Sequence, residues 1–144
     1  MLETEYVCGF AFDKTKERVV LILKNRPDFL AGKYNGVGGK IEKYDNIYSA
    51  MIREFEEETS CVTEKDDWLC RGSLSFSFGT IFFFEGSLTD EQLNSVKTVE
   101  DEEILVTSTD DVLGLKLPID RHAFIYFLAM VDSNLEHLDM RLSN

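Results

Sequence analysis

Two apolar runs near the N-terminus predict a β-hairpin. Residues 6–12 and 18–24 are rich in apolar side chains, and the second run contains the β-branched residues Val19, Val20 and Ile22. A short polar segment separates the two runs, and this arrangement is typical of paired antiparallel strands. We therefore expect a strand, a turn and a second strand in this part of the chain.

A second pair of strands is predicted in the middle of the chain. Residues 68–78 alternate in part between apolar and polar side chains, and residues 80–87 contain four consecutive apolar residues. These runs flank Gly79 and predict paired strands, the second of them buried on both faces. The polar segment 88–101 predicts a loop with a short helical turn, and residues 104–107 predict a further short strand.

Two longer segments predict helices. Residues 46–59 carry apolar side chains at helical spacing, and Asp45 or Asn46 can cap the N-terminus of this helix. Residues 118–131 predict a second helix with Pro118 at or near its first turn, where proline is tolerated. Strands mixed with helices favour an α/β fold in which helices cover a sheet, and 144 residues suit a single domain.

The charge of the chain restricts its partners. A formal net charge of −12 argues against nucleic acid as a partner, because a phosphate backbone needs clustered Lys and Arg. No apolar stretch is long enough to span a membrane, and no signal peptide is predicted. The odd count of 3 cysteines, none spaced C-x-x-C, favours reduced thiols and a cytoplasmic location. A small phosphorylated substrate remains compatible with this charge if a divalent metal accompanies it.

Three glutamates of the first predicted helix form the candidate chemistry. Glu54, Glu57 and Glu58 are spaced i, i+3 and i+4, so they share one helix face. Three like charges on one face repel each other, and a cation would remove that repulsion. Carboxylate oxygens suit Mg²⁺ or Mn²⁺, which leave coordination sites for substrate phosphates. The alternative is an acidic helix face that only contacts water.

A glycine-rich segment precedes this helix. Residues 35–40 read Asn-Gly-Val-Gly-Gly-Lys, and glycines there let the backbone pass close to a metal or a phosphate. A glycine-rich loop alone is a weak signal. A glycine-rich loop followed at a fixed distance by an arginine and a carboxylate cluster is a strong one.

Residues 39–61 resemble the Nudix box, G-x5-E-x7-R-E-U-x-E-E-x-G-U, in which U is a bulky aliphatic residue. The matching positions are Gly39, Arg53, Glu54, Glu57 and Glu58. Asp45 replaces the first Glu of the box and Ser60 replaces its last Gly. Asp45 keeps the charge with one methylene fewer, whereas Ser60 stands where a helix end prefers glycine in a left-handed conformation. The resemblance implies a Nudix-type α/β/α sandwich with a mixed central β-sheet.

The resemblance also implies roles for individual residues. The metal ligands would be the Gly38 carbonyl, Glu54, Glu57, Glu58 and, from the acidic stretch 100–103, Glu103. Arg53 would orient the carboxylates. Glu54 is the predicted general base, and Arg53 and Glu57 complete the predicted catalytic group. The implied cofactor is Mg²⁺ or Mn²⁺.

The glycine-rich segment resembles that of the MutT-like branch of this superfamily, and this likeness implies the substrate. We expect a small nucleotide as the partner, in a monomer or a homodimer, with Asn35, Lys40 and Asp120 as substrate-binding residues. Asn35 could instead be a turn residue that bonds its own backbone, and Asp120 a first-turn residue that favours the helix dipole. The expected reaction is hydrolysis of a diphosphate linkage in a nucleoside triphosphate, including oxidised or non-standard nucleotides, or in a related nucleoside diphosphate derivative.

Other functions stay open at this point. A nucleotide sugar, ADP-ribose or a dinucleotide polyphosphate could replace the triphosphate as the substrate. A catalytically silent Nudix module that senses a nucleotide is the alternative from a different class. The intact Glu54, Glu57 and Glu58 speak against a silent module, whereas Asp45 and Ser60 are the departures that favour it.

Overall fold

The structure is a computed structural model, and it describes residues 3–132 and 136–143. The strands are β1 (Thr4–Asp13), β2 (Arg18–Leu23), β3 (Tyr34–Asn35), β4 (Val37–Lys40), β5 (Trp68–Phe76), β6 (Gly79–Leu88), β7 (Ile104–Ser108) and β8 (Leu138–Arg141). The α-helices are α1 (Ile47–Thr59), α2 (Asp90–Ser95), α3 (Thr109–Leu113) and α4 (Arg121–Val131). The predicted hairpin, the predicted strand pair and the predicted first helix are confirmed.

The strands form one mixed sheet in the order β3-β2-β1-β6-β5-β8. Strand β1 is antiparallel to β2 and parallel to β6, whereas β5 is antiparallel to β6 and parallel to β8. Strands β1 and β2 pair directly only near their connecting turn, through Ala11 with Val20 and Phe12 with Val19. Away from the turn, β4 pairs with β1, and β3 pairs with β2. The glycine-rich segment therefore lies between β1 and β2 where these two strands no longer pair with each other.

Alternation along the central strands divides the interior into two cores. Val7 and Ala11 of β1 pack in the core that contains α1, whereas Phe10 and Phe12 pack in the core that contains α4. This follows from the two-residue period of a strand, which sends successive side chains to opposite faces of the sheet. Strand β6 does the same, since Phe84 lies in the α1 core and Phe83 in the α4 core. The expected α/β/α sandwich with a mixed central sheet is therefore confirmed.

Helix α1 begins and ends as its sequence predicts. Asn46 caps the N-terminus, and its side chain accepts a hydrogen bond from the Ser49 backbone N–H at 2.9 Å. The C-terminal cap is Ser60, whose backbone is left-handed with φ 67° and ψ 3°. A residue with a Cβ is strained in this conformation, and glycine is not.

Two expectations about local structure were wrong. The glycine-rich segment is not simply a loop, because it forms β3 and β4 by pairing with strands that lie far from it in sequence. The last helix begins at Arg121, not at Pro118. The Pro118 carbonyl accepts a hydrogen bond from the Tyr34 N–H at 2.7 Å, and the Asp120 N–H donates to the Tyr34 carbonyl at 3.0 Å. These bonds hold residues 118–120 in an extended form beside β3.

Within residues 3–132 and 136–143, no helix has the length and apolar character that crossing a membrane requires.

The Ser60→Gly substitution should stabilise the protein by about 1 kcal/mol, because it removes the strain of a left-handed residue with a Cβ. Urea unfolding monitored by circular dichroism measures this change. The Ser60→Ala control keeps the Cβ and should give no such gain. Equal stability of Ser60→Gly and wild type would contradict a strained left-handed cap.

Candidate active site

The carboxylates of α1 lie against the glycine-rich strand β4. Glu54 is buried, with 9% of its surface exposed, whereas Glu57 is exposed and Glu58 is partly buried. A Cβ at Gly39 would overlap the Glu54 carboxylate. Glycine at position 39 therefore allows the close approach of strand and helix that brings β4 next to the acidic face.

Arg53 connects the acidic groups around it. Its guanidinium donates to Asp45 at 2.7 Å, to Glu54 at 2.8 Å and to Glu57 at 3.5 Å. It also donates to the Lys40 carbonyl at 3.2 Å, which connects α1 to the end of β4. The contact with Asp45, followed by that with Glu54, keeps the pKa of Arg53 above its usual range although burial opposes this.

Asp45 contacts Arg53 although it has one methylene fewer than Glu. Its carboxylate also accepts hydrogen bonds from the Glu42 N–H at 3.0 Å and the Ser49 hydroxyl at 3.2 Å. The hydrogen bond from Arg53 lowers the pKa of Asp45, and burial opposes this effect without cancelling it. An Asp at this box position is therefore compatible with an ion pair to the arginine.

The remaining carboxylates carry more negative charge than Arg53 compensates. Burial raises the pKa of Glu54, and the neighbouring Glu57 raises it further, while Arg53 opposes both. Burial raises the pKa of Glu58 to about 7, and the charges of Glu100 and Glu54 add to this effect. Carboxylates whose ionisation is disfavoured in this way gain from a nearby cation.

The donor set of this cluster fits a divalent cation. Its groups are carboxylate oxygens with raised pKa values, and hard oxygen donors are what Mg²⁺ and Mn²⁺ prefer. In the described part of the chain, no three His, Cys, Asp or Glu side chains already stand in a geometry that would hold a metal. Glu54 and Glu57 each contact Arg53 through Oε2, which leaves the Oε1 atom of both carboxylates available to a metal.

The acidic stretch 100–103 lies beside the end of β2. Glu102 is buried and accepts hydrogen bonds from the Lys24 ammonium at 2.8 Å and the Asn25 N–H at 2.7 Å. Glu103 is exposed, and its backbone carbonyl accepts the Leu23 N–H. Glu100 acts electrostatically on Glu58. Glu103 stays a prediction as the downstream metal ligand, and Glu100 is a second candidate within the same stretch.

A second polar cluster lies on the α4 side of the sheet. Asn35 accepts hydrogen bonds through its side-chain Oδ1 from the Gly36 N–H at 2.7 Å and from the Cys8 thiol at 3.3 Å. Asp120 caps α4 by accepting the Ala123 N–H at 3.0 Å, and its charge acts on Cys8. Asp120 is thus a helix-end residue, whereas Asn35 lies in strand β3 and not in a turn, although its side chain does bond the neighbouring backbone. Cys8 connects the two residues, because it bonds to Asn35 and the charge of Asp120 acts on it.

Two participants in these clusters, Cys8 and Lys24, were not predicted from the sequence. Cys8 contacts Asn35, and Lys24 pairs with the buried Glu102. No motif marks these residues, because their partners lie 27 and 78 positions away in sequence. Lys40 is exposed, and its backbone carbonyl accepts a hydrogen bond from Arg53, which in turn contacts Glu54 and Glu57.

Comparison with known proteins identifies the family. The family model of the NUDIX domain matches residues 4–125 of the chain. The chain therefore belongs to the Nudix family and is a Nudix hydrolase, an enzyme class that generally uses a divalent metal. No curated protein sequence matches it significantly.

Several solved structures share the fold. A MutT protein of Aliivibrio salmonicida or Vibrio cholerae superposes with a TM-score of 0.75 at 18% identity, covering 90% of this chain and 98% of that one. The mutator MutT protein of Bacillus halodurans superposes with a TM-score of 0.72 at 18% identity, covering 97% and 90%. The NUDIX domain of Shewanella oneidensis NrtR, in complex with ADP ribose, gives 0.68 at 15% identity, covering 89% and 86%.

The Glu58→Gln substitution should change stability in a pH-dependent way in the metal-free protein. The native pKa of Glu58 is raised from 4.5 to about 7, so the native state binds the proton more tightly than the unfolded state. The Glu58 contribution to stability is therefore full below about pH 4.5 and is lost as the pH rises to about 7. Above that pH the variant should be the more stable protein, by on the order of 1 kcal/mol after solvent screening.

Thermal unfolding in EDTA measures this difference, at pH values about one unit apart between pH 5 and 8. The neighbour Glu56 offers a matched control, since Glu56→Gln makes the same substitution at an exposed position of the same helix. A gap between wild type and Glu58→Gln that does not grow with pH would contradict the raised pKa.

Proposed function

We propose that this Nudix hydrolase is a Mg²⁺- or Mn²⁺-dependent enzyme that cuts a diphosphate linkage in a nucleoside triphosphate or a related nucleoside diphosphate derivative. The observation that carries the proposal is the position of segment 35–40. Its Gly39 end borders the carboxylate cluster of α1, and its Asn35 end borders the cluster with Asp120. A nucleotide has two parts that match these clusters, a phosphate chain and a base.

The proposed division of roles combines the resemblance to the Nudix box with the contacts that each side chain makes. Glu54, Glu57, Glu58 and the Gly38 carbonyl would hold the metal, and a metal bound there would supply polarisation of phosphoryl oxygens and activation of a water. Glu54 would accept the proton of the attacking water, and burial raises its pKa, which makes the carboxylate a better proton acceptor. Arg53 keeps Glu54 and Glu57 oriented through its hydrogen bonds to both carboxylates.

The substrate-binding residues of the proposal are Asn35, Asp120 and Lys40. Asn35 and Asp120 contact the base with an amide group and a carboxylate. Lys40 is exposed beside the carboxylate cluster and supplies a positive charge for a phosphate group. The cysteines at positions 8, 61 and 70 are free thiols, which supports a reducing, cytoplasmic location.

ADP-ribose is the second candidate substrate. The NUDIX domain of Shewanella oneidensis NrtR, which shares the fold, is known in complex with ADP ribose. The same carboxylate cluster would act on the diphosphate of either compound, so the two candidates differ in the groups that flank the diphosphate.

Product analysis by chromatography tests the proposal. The protein is incubated with ordinary and oxidised nucleoside triphosphates, ADP-ribose and nucleotide sugars, each with Mg²⁺, with Mn²⁺ and with EDTA. We expect metal-dependent release of a nucleoside monophosphate or its equivalent. Glu54→Gln and Glu57→Gln should each lower turnover by roughly 10²- to 10⁴-fold, the range for a lost acid–base group.

Two controls separate lost chemistry from lost structure. Glu56→Gln changes an exposed glutamate of the same helix and should keep wild-type turnover. Both active-site variants should melt at or above the wild-type temperature, because they remove repulsion within the cluster. Full activity of Glu57→Gln would contradict the metal-site assignment. A folded wild-type protein that acts on no compound of the panel would favour a silent nucleotide-binding module.

A further inference from the structure

We propose that Cys8 is a positioning residue that holds the Asn35 side-chain amide in one orientation, with its NH₂ group facing the base of the substrate. This inference rests on the proposed function, because it concerns the proposed contact of Asn35 and Asp120 with a nucleotide. It adds a residue that no sequence motif marks. Cys8 acts through Asn35 and has no part in the chemistry at the metal.

Two donors converge on one oxygen of Asn35. The Gly36 N–H donates to Oδ1 at 2.7 Å, and the Cys8 thiol donates to the same oxygen at 3.3 Å. A side-chain amide oxygen has two lone pairs, so both are used here. A flipped amide would place its NH₂ group against the Gly36 N–H, where two donors repel each other. The pair of donors therefore favours a single orientation.

The thiol remains a donor across the neutral pH range. Cys8 is buried, and burial together with the charge of Asp120 raises its pKa to about 12. The Gly36 backbone N–H and the charge of Lys24 act in the opposite direction but are weaker. A protonated thiol has one S–H to donate, and the Asn35 oxygen receives it.

The backbone around Cys8 allows little movement. A Cβ at Gly36 would lie 2.8 Å from the Cys8 sulfur and 2.8 Å from the Gly9 carbonyl oxygen, closer than such atoms approach. Gly36 therefore stands directly against β1. Cys8 also pairs with Gly38 of β4 in the sheet register, so the sheet holds the thiol and the amide at a fixed separation.

The fixed orientation determines what Asn35 offers to a ligand. Within residues 3–132 and 136–143, the Nδ2 nitrogen of Asn35 has no hydrogen-bond partner. Asp120 uses Oδ2 to cap α4, which leaves its other oxygen as an acceptor. Asn35 thus offers a donor, and Asp120 offers an acceptor, to a ligand that contacts both residues. A heterocyclic base with a complementary acceptor and donor on one edge fits this pair.

Three variants separate positioning from simple packing. Cys8→Ala removes the donor, and Cys8→Ser replaces it with a hydroxyl that can donate in its place. Cys61→Ala is the matched control, because it removes the same sulfur atom from a fully buried site in the opposite core. Both alanine variants should lose similar thermal stability.

Binding is measured by calorimetry in Mg²⁺ with the αβ-methylene analogues of GTP and ATP, and with tripolyphosphate, which has no base. Cys8→Ala should weaken binding of the preferred nucleotide analogue by roughly fivefold, the effect of one neutral hydrogen bond. Cys8→Ser and Cys61→Ala should bind within about twofold of wild type. Tripolyphosphate should bind all four proteins equally, since it does not reach Asn35.

The amide orientation has its own readout. In ¹⁵N NMR spectra without ligand, the Asn35 side-chain NH₂ signals should broaden in Cys8→Ala and stay sharp in Cys8→Ser and Cys61→Ala. Unchanged signals in Cys8→Ala, or equal losses of affinity in Cys8→Ala and Cys61→Ala, would overturn the positioning role of Cys8. Either result would leave the proposed function standing. If wild type bound neither nucleotide analogue more tightly than tripolyphosphate, the base pocket of the proposed function would be wrong, and with it the inference.

Discussion

The Arg53 guanidinium is the group on which the acidic face of α1 depends. It bonds Asp45, Glu54 and Glu57 at once, and through the Lys40 carbonyl it also bonds the end of β4. Without this cation, neighbouring carboxylates on one helix face would repel each other with nothing to orient them. One cation cannot neutralise the whole cluster. Burial raises the pKa values of Glu54 and Glu58, and the neighbouring carboxylates add to this effect. The cluster is therefore held together and still attracts a divalent cation.

The segment from Asn35 to Lys40 connects the two polar clusters of the molecule. Glycine is needed at position 39 because the Glu54 carboxylate lies against it, and at position 36 because Cys8 and the Gly9 carbonyl lie against it. The segment joins β1 and β2 at the level where these strands no longer pair with each other. This position in the sheet places the candidate metal ligands and the candidate base-contacting residues at opposite ends of a few residues of backbone.

Much of the fold and of the acidic cluster could be predicted, because the relevant interactions are local. The helix from Ile47 to Thr59 follows from its apolar spacing and the Asn46 cap, and its geometry alone puts the three glutamates on one face. The left-handed Ser60 follows from its place at the helix end. Short strands such as β3, β4 and β8 could not be predicted, since they are stabilised by partners far away in sequence.

The sequence by itself determined the helix, its carboxylates, the arginine among them and the family to which the chain belongs, because these depend on spacing within about twenty residues. The tertiary structure decided which groups meet across longer distances. It placed Asp120 beside Asn35 by pairing residues 118–120 with Tyr34, and it placed the Cys8 thiol against the Asn35 oxygen. It also buried Glu102 with Lys24 and left Glu103 exposed. Hydrogen bonds between distant segments depend on the packing of the sheet, and no local pattern encodes that packing.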